Sequence, residues 1–313
     1  MAPTITDAER ALSELFEARS GSFTDGPLDR RRAEAFKQFA AGGLPHRRVE
    51  AYKYTDLRSR LRRLPAPAEA ADASAVEAIL TAHPVLVPNA HRLVLANGRF
   101  MPTLSSAPAG MTITSILAPE ADLTDVGALT ADSTDPVTLA NVGLFDGGAV
   151  VTISENPAAP LEIVHVVTGD VIAMDRIAIS LPAGLEASII ERTIGADHSV
   201  TNNMAEIVIG DNAVLHLTRI SDGLSDNATE LSSHHIRMGA KSRLEHLTIS
   251  TGRGLARNQV FCHVKGDYSD TNFRTATVST GRRHADTTLV VRHDSVGARS
   301  TEVFRSAVGR KGT

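Results

Sequence analysis

The chain contains 313 residues, with 32 Lys or Arg against 36 Asp or Glu and a formal net charge of −4. A chain of this length can bury a substantial core, and we expect one large body with a smaller appendage. It has no Trp, 3 Tyr and 9 Phe, so the core must be mainly aliphatic, which suits closely stacked strands. The single cysteine, Cys262, excludes an internal disulfide. No apolar run reaches the length of a membrane helix and no signal-peptide pattern begins the chain, so we expect a cytoplasmic protein without a membrane partner.

Residues 1–64 are predicted to form a helical N-terminal domain. Thr6-Asp7-Ala8-Glu9 has the pattern of a capping box, in which the Thr and Glu side chains bond reciprocally to backbone N–H groups. Apolar residues at helical spacing follow it, namely Ala8, Leu12, Leu15 and Phe16. A second helix is expected from about Asp29 to the Gly42-Gly43 pair. Its predicted apolar face consists of Ala33, Phe36 and Phe39.

Arginines cluster in this N-terminal part, as Arg30-Arg31-Arg32 and again as Arg58, Arg60, Arg62 and Arg63. Residues 1–64 carry 13 Lys or Arg against 9 Asp or Glu. Surfaces that bind single-stranded nucleic acid interleave such charge with aromatic residues, and no such aromatics accompany these arginines. We therefore interpret them as solvated helix faces and expect no nucleic-acid partner.

Residues 65–90 are predicted to form a linker followed by one short helix. The segment from Leu64 to Ala71 is rich in Pro and Ala, which is typical of a semi-rigid spacer. The helix is expected around Val76 to Ala82. Strands begin at Leu93, and residues 91–313 are assigned to a β core.

Glycine-marked turns separate short strands between Ala149 and Gly297, with one strand and turn about every 14 or 15 residues. The turn glycines are Gly210, Gly223, Gly239, Gly252, Gly266, Gly281 and Gly297. The turns that begin at Gly210 and Gly239 are expected to use residues that tolerate a left-handed backbone. Even spacing of this kind indicates a sandwich, a barrel or a stacked β-solenoid. A solenoid with two strands per coil would repeat every 27 to 31 residues, roughly.

Alternation within the strands predicts which side chains face the core. Leu215 and Leu217 share one face of their strand, and Val260, Cys262 and Val264 share one face of another. The opposite faces carry polar groups, which include Glu206, His216 and His263.

The single thiol and the histidines are the candidate chemical groups. Cys262 should point into an apolar core, where its thiolate is disfavoured. The twelve histidines invite a metal hypothesis, but strand parity weakens it, because adjacent histidines such as His234 and His235 face opposite ways. His284 and Asp286 are expected on the same face of their strand, and His293 on the opposite face. We expect the histidines on a solvated outer face or a partner surface.

Six segments carry a family resemblance. Arg47 to Leu57 resembles an R-x-E-x-W-K-Y-T-x-L signature, with Tyr52 in place of tryptophan and Lys53 and Tyr54 after it. The others contain Asn97-Gly98, then Leu139 to Gly147, then Asn203 and Glu206, then Arg257-Asn258, and finally His284, Asp286, His293, Ser300, Phe304 and Arg305. Together these segments resemble the SufB/SufD family of iron–sulfur cluster assembly proteins, and its SufD branch in particular.

The resemblance implies a mainly β protein, a right-handed parallel β-helix (β-solenoid) with a small helical N-terminal domain. It also implies a non-catalytic subunit that pairs with a SufB-like protein and a SufC-like ATPase to form a SufB–SufC–SufD complex. That complex would carry the Fe–S cluster and, as a second candidate cofactor, FAD, with none held firmly by this chain. The match stops near Gly309, so the resemblance predicts that the β-helix is truncated before a C-terminal helical domain.

Two alternatives stay open. A SufB-like scaffold paralogue would share the fold, although that branch is expected to carry several cysteines. A polysaccharide-acting β-helix enzyme would need paired carboxylates on one groove face, and the sequence shows no such pair.

Overall fold

The computed structural model describes residues 5–24, 26–124, 126–195, 198–222, 225–251 and 254–309. Two of the predicted turn glycines, Gly223 and Gly252, lie outside the described residues, as does the end of the chain from residue 310. No helix in these ranges is both long and apolar enough to cross a membrane.

Helices occupy mainly the N-terminal part. They are α1 (Asp7–Ser20), α2 (Pro27–Gly42), α3 (Leu57–Arg60), α4 (Ala73–Ala82) and α5 (Pro136–Leu144), with 3₁₀ turns at Glu50–Tyr52 and Pro102–Leu104. The capping box of α1 is confirmed, since Glu9 N–H donates to Thr6 Oγ1 (3.2 Å) and Thr6 N–H donates to Glu9 Oε2 (2.7 Å). Gly43, with φ of 68°, ends α2 as predicted. The division at residues 64 and 90 stays a prediction.

The predicted faces of α2 were wrong at two positions, Arg32 and Ala33. Ala33 is exposed, and Arg32 is buried on the face that packs against the β body. The Arg32 guanidinium lies 4.5 Å from the Phe23 ring centroid and 4.4 Å from that of Phe145, and it donates to Phe145 O (3.1 Å). A long side chain at a helix face can bury its stem and still satisfy its charge, which charge counting does not reveal.

Sixteen strands follow in the described residues. They are β1 (Ala66–Pro67), β2 (His91–Ala96), β3 (Arg99–Phe100), β4 (Met111–Ser115), β5 (Gly147–Ile153), β6 (Leu161–Val167), β7 (Val171–Leu181), β8 (Glu186–Gly195), β9 (Val200–Ile209), β10 (Val214–Ser221), β11 (Thr229–Met238), β12 (Arg243–Ser250), β13 (Leu255–Val264), β14 (Asp270–Ser279), β15 (His284–His293) and β16 (Arg299–Val308).

The strands form two eight-stranded sheets. Sheet A has the order β15-β13-β11-β9-β7-β5-β4, with β1 beside β7, and sheet B has the order β16-β14-β12-β10-β8-β6-β2-β3. From β5 onward the chain alternates between the sheets, and each strand pairs in parallel with the strand two places later. The result is a β-solenoid of about six turns, which confirms the predicted fold class.

The coil length follows from the register. Val214 pairs with Glu186 and with Arg243, which lie 28 and 29 positions away, whereas Thr229 pairs with Leu255, 26 positions away. One coil, from Thr229 to Leu255, is therefore slightly shorter than the predicted range of coil lengths.

The main core lies between the sheets and is aliphatic. Leu215, Leu217, Val260, Cys262 and Val264 all belong to it, as the alternation predicted. A second core joins α1, α2 and α5 to the outer face of sheet A, and a third joins α4 to the outer face of sheet B. Helix α5, which the sequence pattern did not predict, covers outer residues of β7 and β9.

The tight turns use glycine in two different ways. Left-handed backbone recurs at one stacked turn position, where Gly184, Asn212, Lys241, Tyr268 and Gly297 have φ between 55° and 75°. Gly210, Gly239 and Gly266 precede three of these residues, and their φ angles are not positive. They are required because a Cβ at each would collide with the turn of the preceding coil.

Gly266→Ala tests this stacking. The added Cβ would overlap Ala240 N and Gly239 C in the preceding coil, so we expect the free energy of unfolding to fall by about 2 kcal/mol or more. Gly42→Ala is the matched control, since no atom lies within 4 Å of its added Cβ. Urea denaturation of both variants measures the difference, and equal stabilities would contradict close stacking at this turn.

Candidate functional site

The interior of the solenoid is divided into an apolar half and a polar half. At one end of the strands, inward positions hold Ile, Leu and Val, and at the other end they hold ionisable groups. These groups form what we call the lumen network, whose members are His165, Asp175, Glu191, Arg219, Glu230, His234 and His246. Each is at most 3% exposed.

Alternating charges connect the lumen network across the two sheets. His165 lies between two carboxylates, with Nδ1 2.7 Å from Asp175 Oδ2 and Nε2 2.9 Å from Glu191 Oε1. Arg219 bridges Glu191 and Glu230, and Ser221 donates to Glu230. Because each carboxylate has a cationic or hydroxyl partner, the burial of these charges is electrostatically compensated.

The network shifts the pKa values of its members. Burial alone would lower the pKa of His165, but Asp175 and Glu191 raise it to about 9. Burial alone would raise the pKa of Glu191, but Arg219 and His234 hold it well below its ordinary value. His165 is therefore an imidazolium at neutral pH, and both of its N–H groups donate to carboxylates.

A branch of the network contains two further histidines. His234 Nε2 lies 2.7 Å from Glu191 Oε2, and His234 Nδ1 lies 2.9 Å from His246 Nε2. Burial lowers the pKa of His246 to about 3, so its ring is neutral. The expectation of outward-facing histidines was wrong for His165, His234 and His246, because inward positions at this end of the strands are polar.

His235 points outward, opposite to His234, as parity predicted, yet it is also buried. Its ring stacks on Phe261 at 4.8 Å, and its Nε2 lies 3.1 Å from Thr138 Oγ1 on α5. Burial lowers the pKa of His235 to about 3. The cover supplied by α5 thus converts an outer-face histidine into a neutral packing residue.

The N-terminal segment attaches to the outer face of sheet A at what we call the docking seam, formed by Tyr52, Thr55, Asp135, Arg257, Gln259, His284 and Asp286. Tyr52 is 1% exposed, and its hydroxyl donates to Asp135 Oδ2 (2.6 Å). The Arg257 guanidinium lies 3.9 Å from the Tyr52 ring centroid, and Gln259 Nε2 donates to Asp135 (3.1 Å). Burial and Asp135 raise the pKa of Tyr52, which keeps the phenol protonated.

Two distant motif segments meet at the same seam. Thr55 Oγ1 lies 2.8 Å from His284 Nε2 and donates to Asp286, which also pairs with Arg257. His284 and Asp286 share the outer face of β15, as predicted. Burial and the nearby Arg60 lower the pKa of His284. The seam therefore joins the Tyr52 segment to the last coils by polar contacts.

Three other predicted positions lie within the body of the fold. Asn97 and Gly98 form the turn between β2 and β3, with φ of 48° and 81°. Asn203 points into the lumen and donates to Thr193 Oγ1 (3.0 Å).

Glu206 lies on the outer face of β9 and is 2% exposed. It accepts from Gly127 N (2.7 Å) and Leu129 N (2.9 Å), and it pairs with Arg176. Glu206 thus fixes the loop before α5 against sheet A.

The remaining predicted positions are at or near the surface. Lys53 and Tyr54 are exposed next to the docking seam. His293 Nε2 lies 2.8 Å from Ser300 Oγ on the last coil, where Phe304 and Arg305 are exposed. The structure therefore brings His284 and Asp286 to the Tyr52 segment but leaves His293, Phe304 and Arg305 apart from them.

Cys262 lies in the apolar half of the lumen and is 2% exposed, with Sγ 3.7 Å from Met238 Sδ. Burial raises the pKa of its thiol to about 12. Within the described ranges, no group of three or more His, Cys, Asp and Glu side chains is arranged to hold a metal ion.

Comparison with known proteins matches both halves of the chain. Residues 6–156 match the family described as the SufBD protein N-terminal region, and residues 165–313 match the SufBD core domain of SUF-system FeS cluster assembly. The chain belongs to the SufB/SufD family of iron–sulfur cluster assembly proteins. It is 25% identical over 316 residues to a Synechocystis protein described as an iron–sulfur cluster assembly SufBD family protein, with 92% of this chain and 68% of that protein covered. The resemblance to the SufB/SufD family is thus confirmed.

Most of the lumen network of this SufB/SufD family member was not predicted from the sequence. A usable signal was present, because Glu191 has the same strand parity as Ile189, and Arg219 the same parity as Leu217. A charged residue at an inward-facing position requires a buried partner. Parity alone does not identify that partner, since it comes from another coil.

The pH dependence of stability tests the charge of His165. Its pKa in the folded chain, about 9, exceeds the ordinary value of 6.5, so its contribution is fully present below pH 6.5 and is lost as the pH rises through 9. Urea denaturation across this window should show falling stability for the wild type and a flatter profile for His165→Gln. Asp175→Asn removes a carboxylate that raises the pKa of His165, so the loss of stability should occur at lower pH. A wild-type profile as flat as that of His165→Gln would contradict a charged His165.

Tyr52→Phe tests the docking seam. The change removes a hydrogen bond to the half-buried Asp135 carboxylate, and hydrogen bonds to charged groups are among the stronger ones, so we expect a loss of about 1.5–3 kcal/mol in the free energy of unfolding. Tyr54→Phe is the matched control, because the Tyr54 side chain is 81% exposed and its hydroxyl should contribute less than about 0.5 kcal/mol. Thermal and urea denaturation measure the stability of both variants. A Tyr52→Phe chain as stable as the wild type would refute the anchoring role.

Proposed function

We propose that this chain is a non-catalytic, SufD-like subunit of a complex that also contains a SufB-like subunit and a SufC-like ATPase. The iron–sulfur cluster is the cargo of that complex. Persulfide chemistry and cluster ligation take place on other subunits, and this chain supports formation of the scaffold and delivery of iron or clusters. Neither the cluster nor FAD is assigned to it.

The environment of Cys262 is the observation that carries this proposal. Sulfur transfer and cluster ligation use a thiolate, and the only cysteine in the sequence is buried in the apolar half of the lumen with its pKa raised to about 12. A thiol in that position is a poor acceptor of sulfur and a poor ligand of iron. The same observation disfavours the SufB-like alternative.

Family membership supports an assembly role over polysaccharide chemistry. The paired carboxylates that a glycoside hydrolase needs must contact substrate at a groove. The three carboxylates of the lumen network, Asp175, Glu191 and Glu230, are all sealed inside the solenoid.

Co-expression with the SufB-like and SufC-like proteins of the same organism tests the proposal. We expect the three chains to co-elute in size-exclusion chromatography, with more iron and acid-labile sulfide than the SufB-like and SufC-like pair carries alone. Separate elution, or equal cluster content without this chain, would contradict it.

Cys262 variants give a sharper prediction. Cys262→Ser places a hydroxyl among apolar side chains and should cost about 1–3 kcal/mol of stability, whereas Cys262→Ala should cost less. Iron and sulfide assays of the complex should give wild-type cluster content with Cys262→Ala. A stably folded Cys262→Ala chain that joins the complex yet abolishes assembly would assign the thiol a chemical role.

A further inference from the structure

An exposed cluster of positive charge surrounds the docking seam. Five cationic residues between positions 47 and 62 are exposed, and we call them the basic face: Arg47, Arg48, Lys53, Arg60 and Arg62. Tyr54 lies among them with 81% of its side chain exposed, and Lys53 Nζ is 5.7 Å from its ring centroid. This concentration contrasts with the net charge of −4 for the whole chain.

The segment that carries the basic face is compact and fixed to the body. It folds back on itself, because Arg58 N–H donates to Pro45 O (3.1 Å) and Arg47 N–H donates to Asp56 Oδ2 (3.3 Å). Tyr52 and Thr55 anchor it at the docking seam, and Leu57 is fully buried. The five cations are therefore displayed close together on a rigid support.

Positive charge exceeds negative charge in this segment, where Glu50 and Asp56 are the acidic residues beside the five cations of the basic face. Neighbouring arginines do form ion pairs, Arg58 with Glu9 (3.5 Å) and Arg63 with Asp7 (4.0 Å). The described side chains include no ion-pair partner for any member of the basic face. Like charges held together repel one another and attract an anionic partner.

A cavity extends the positive surface along the turns that lead into β9, β11, β13 and β15. It has a volume of about 650 Å³, and its lining includes Arg60, the exposed Arg282 and the exposed His198. Asp226 also lines it, but Arg283 Nε pairs with this carboxylate at 2.8 Å. The cavity therefore offers cationic side chains to a chain segment that lies along the basic face.

We propose that the basic face and this cavity bind an acidic segment of a partner protein, with Tyr54 as the central contact. Carboxylates of the partner would pair with Arg60, Arg62 and Arg282, and an apolar side chain between them would pack on the Tyr54 ring. Tyr and Arg are the residues that most often contribute strongly at protein interfaces. The inference does not depend on the Suf complex, because it rests on charge and exposure in the isolated chain.

A protein partner fits this surface better than a nucleic acid does. Proteins that bind single strands place several aromatic platforms along a positive groove. Among the described residues between 47 and 63, Tyr54 is the only exposed aromatic side chain. A single exposed aromatic side chain beside Lys53, in a segment rich in arginine, instead matches an anchor and rim at a protein interface.

Fluorescence anisotropy with the full chain tests the inference. The probes are a labelled Glu-rich peptide containing leucines, the same peptide with Gln at each acidic position, and an oligo-dT strand of equal length. We expect saturable binding of the Glu-rich peptide at physiological ionic strength, weakening with added salt, and no binding of the Gln peptide. Arg60→Glu/Arg62→Glu should weaken binding by about tenfold or more. Tyr54→Ala should weaken it severalfold without changing the salt dependence.

The control is Arg299→Glu/Arg305→Glu, which makes the same change in charge on exposed residues of β16. It should leave affinity within about twofold. Arg48→Gln/Lys53→Gln provides a second test if the Arg60 and Arg62 variant unfolds, as judged by thermal denaturation. Absence of Glu-rich peptide binding, equal losses in the control, or oligo-dT binding as tight as peptide binding would overturn the inference. None of these results would bear on co-elution with SufB-like and SufC-like proteins.

Discussion

The in-register parallel stacking of coils is the constraint on which the rest of this structure depends. Each inward side chain lies between its counterparts in the coils before and after it, about 4.8 Å away. An inward charge can therefore be compensated only by groups in neighbouring coils or in the facing sheet. The same stacking requires glycine where successive turns touch, as at Gly239 and Gly266.

The lumen network is the clearest consequence of that constraint. Arg219, on sheet B, pairs with Glu191 in the preceding coil of the same sheet and with Glu230 on sheet A. His165 joins Asp175 to Glu191 in the same manner. Breaking one member leaves an opposite charge buried without its partner, which costs far more than the intact pair contributes. The network thus ties both sheets to one register, while the apolar half supplies most of the hydrophobic burial.

Much of the fold could be predicted from local pattern. Period-two alternation identified the inward faces of β10 and β13, and the capping box identified the start of α1. Local pattern did not predict which side chains are buried where contacts between distant segments determine that burial. Arg32 looked like a solvated residue, but two aromatic rings enclose its guanidinium. His235 was expected at the surface, and α5, which the alternation did not reveal, covers it.

The candidate site was predictable only in part for the same reason. The Tyr52 segment and the His284–Asp286 pair were identified as separate motifs. Their meeting through Thr55 depends on how the N-terminal segment crosses the coils. The buried position of Cys262, by contrast, followed directly from its apolar neighbours in β13. It is the observation behind our proposal that this chain is a supporting subunit and not one that carries sulfur.

Reactivity of Cys262 toward a thiol reagent tests that distinction most directly. The account predicts that the folded chain reacts with Ellman's reagent only as fast as it unfolds, so that stabilising conditions slow the reaction, and that the urea-unfolded chain reacts at once with one thiol. Rapid stoichiometric reaction of the folded chain would contradict it, because an accessible thiolate would then be available for sulfur transfer or cluster ligation.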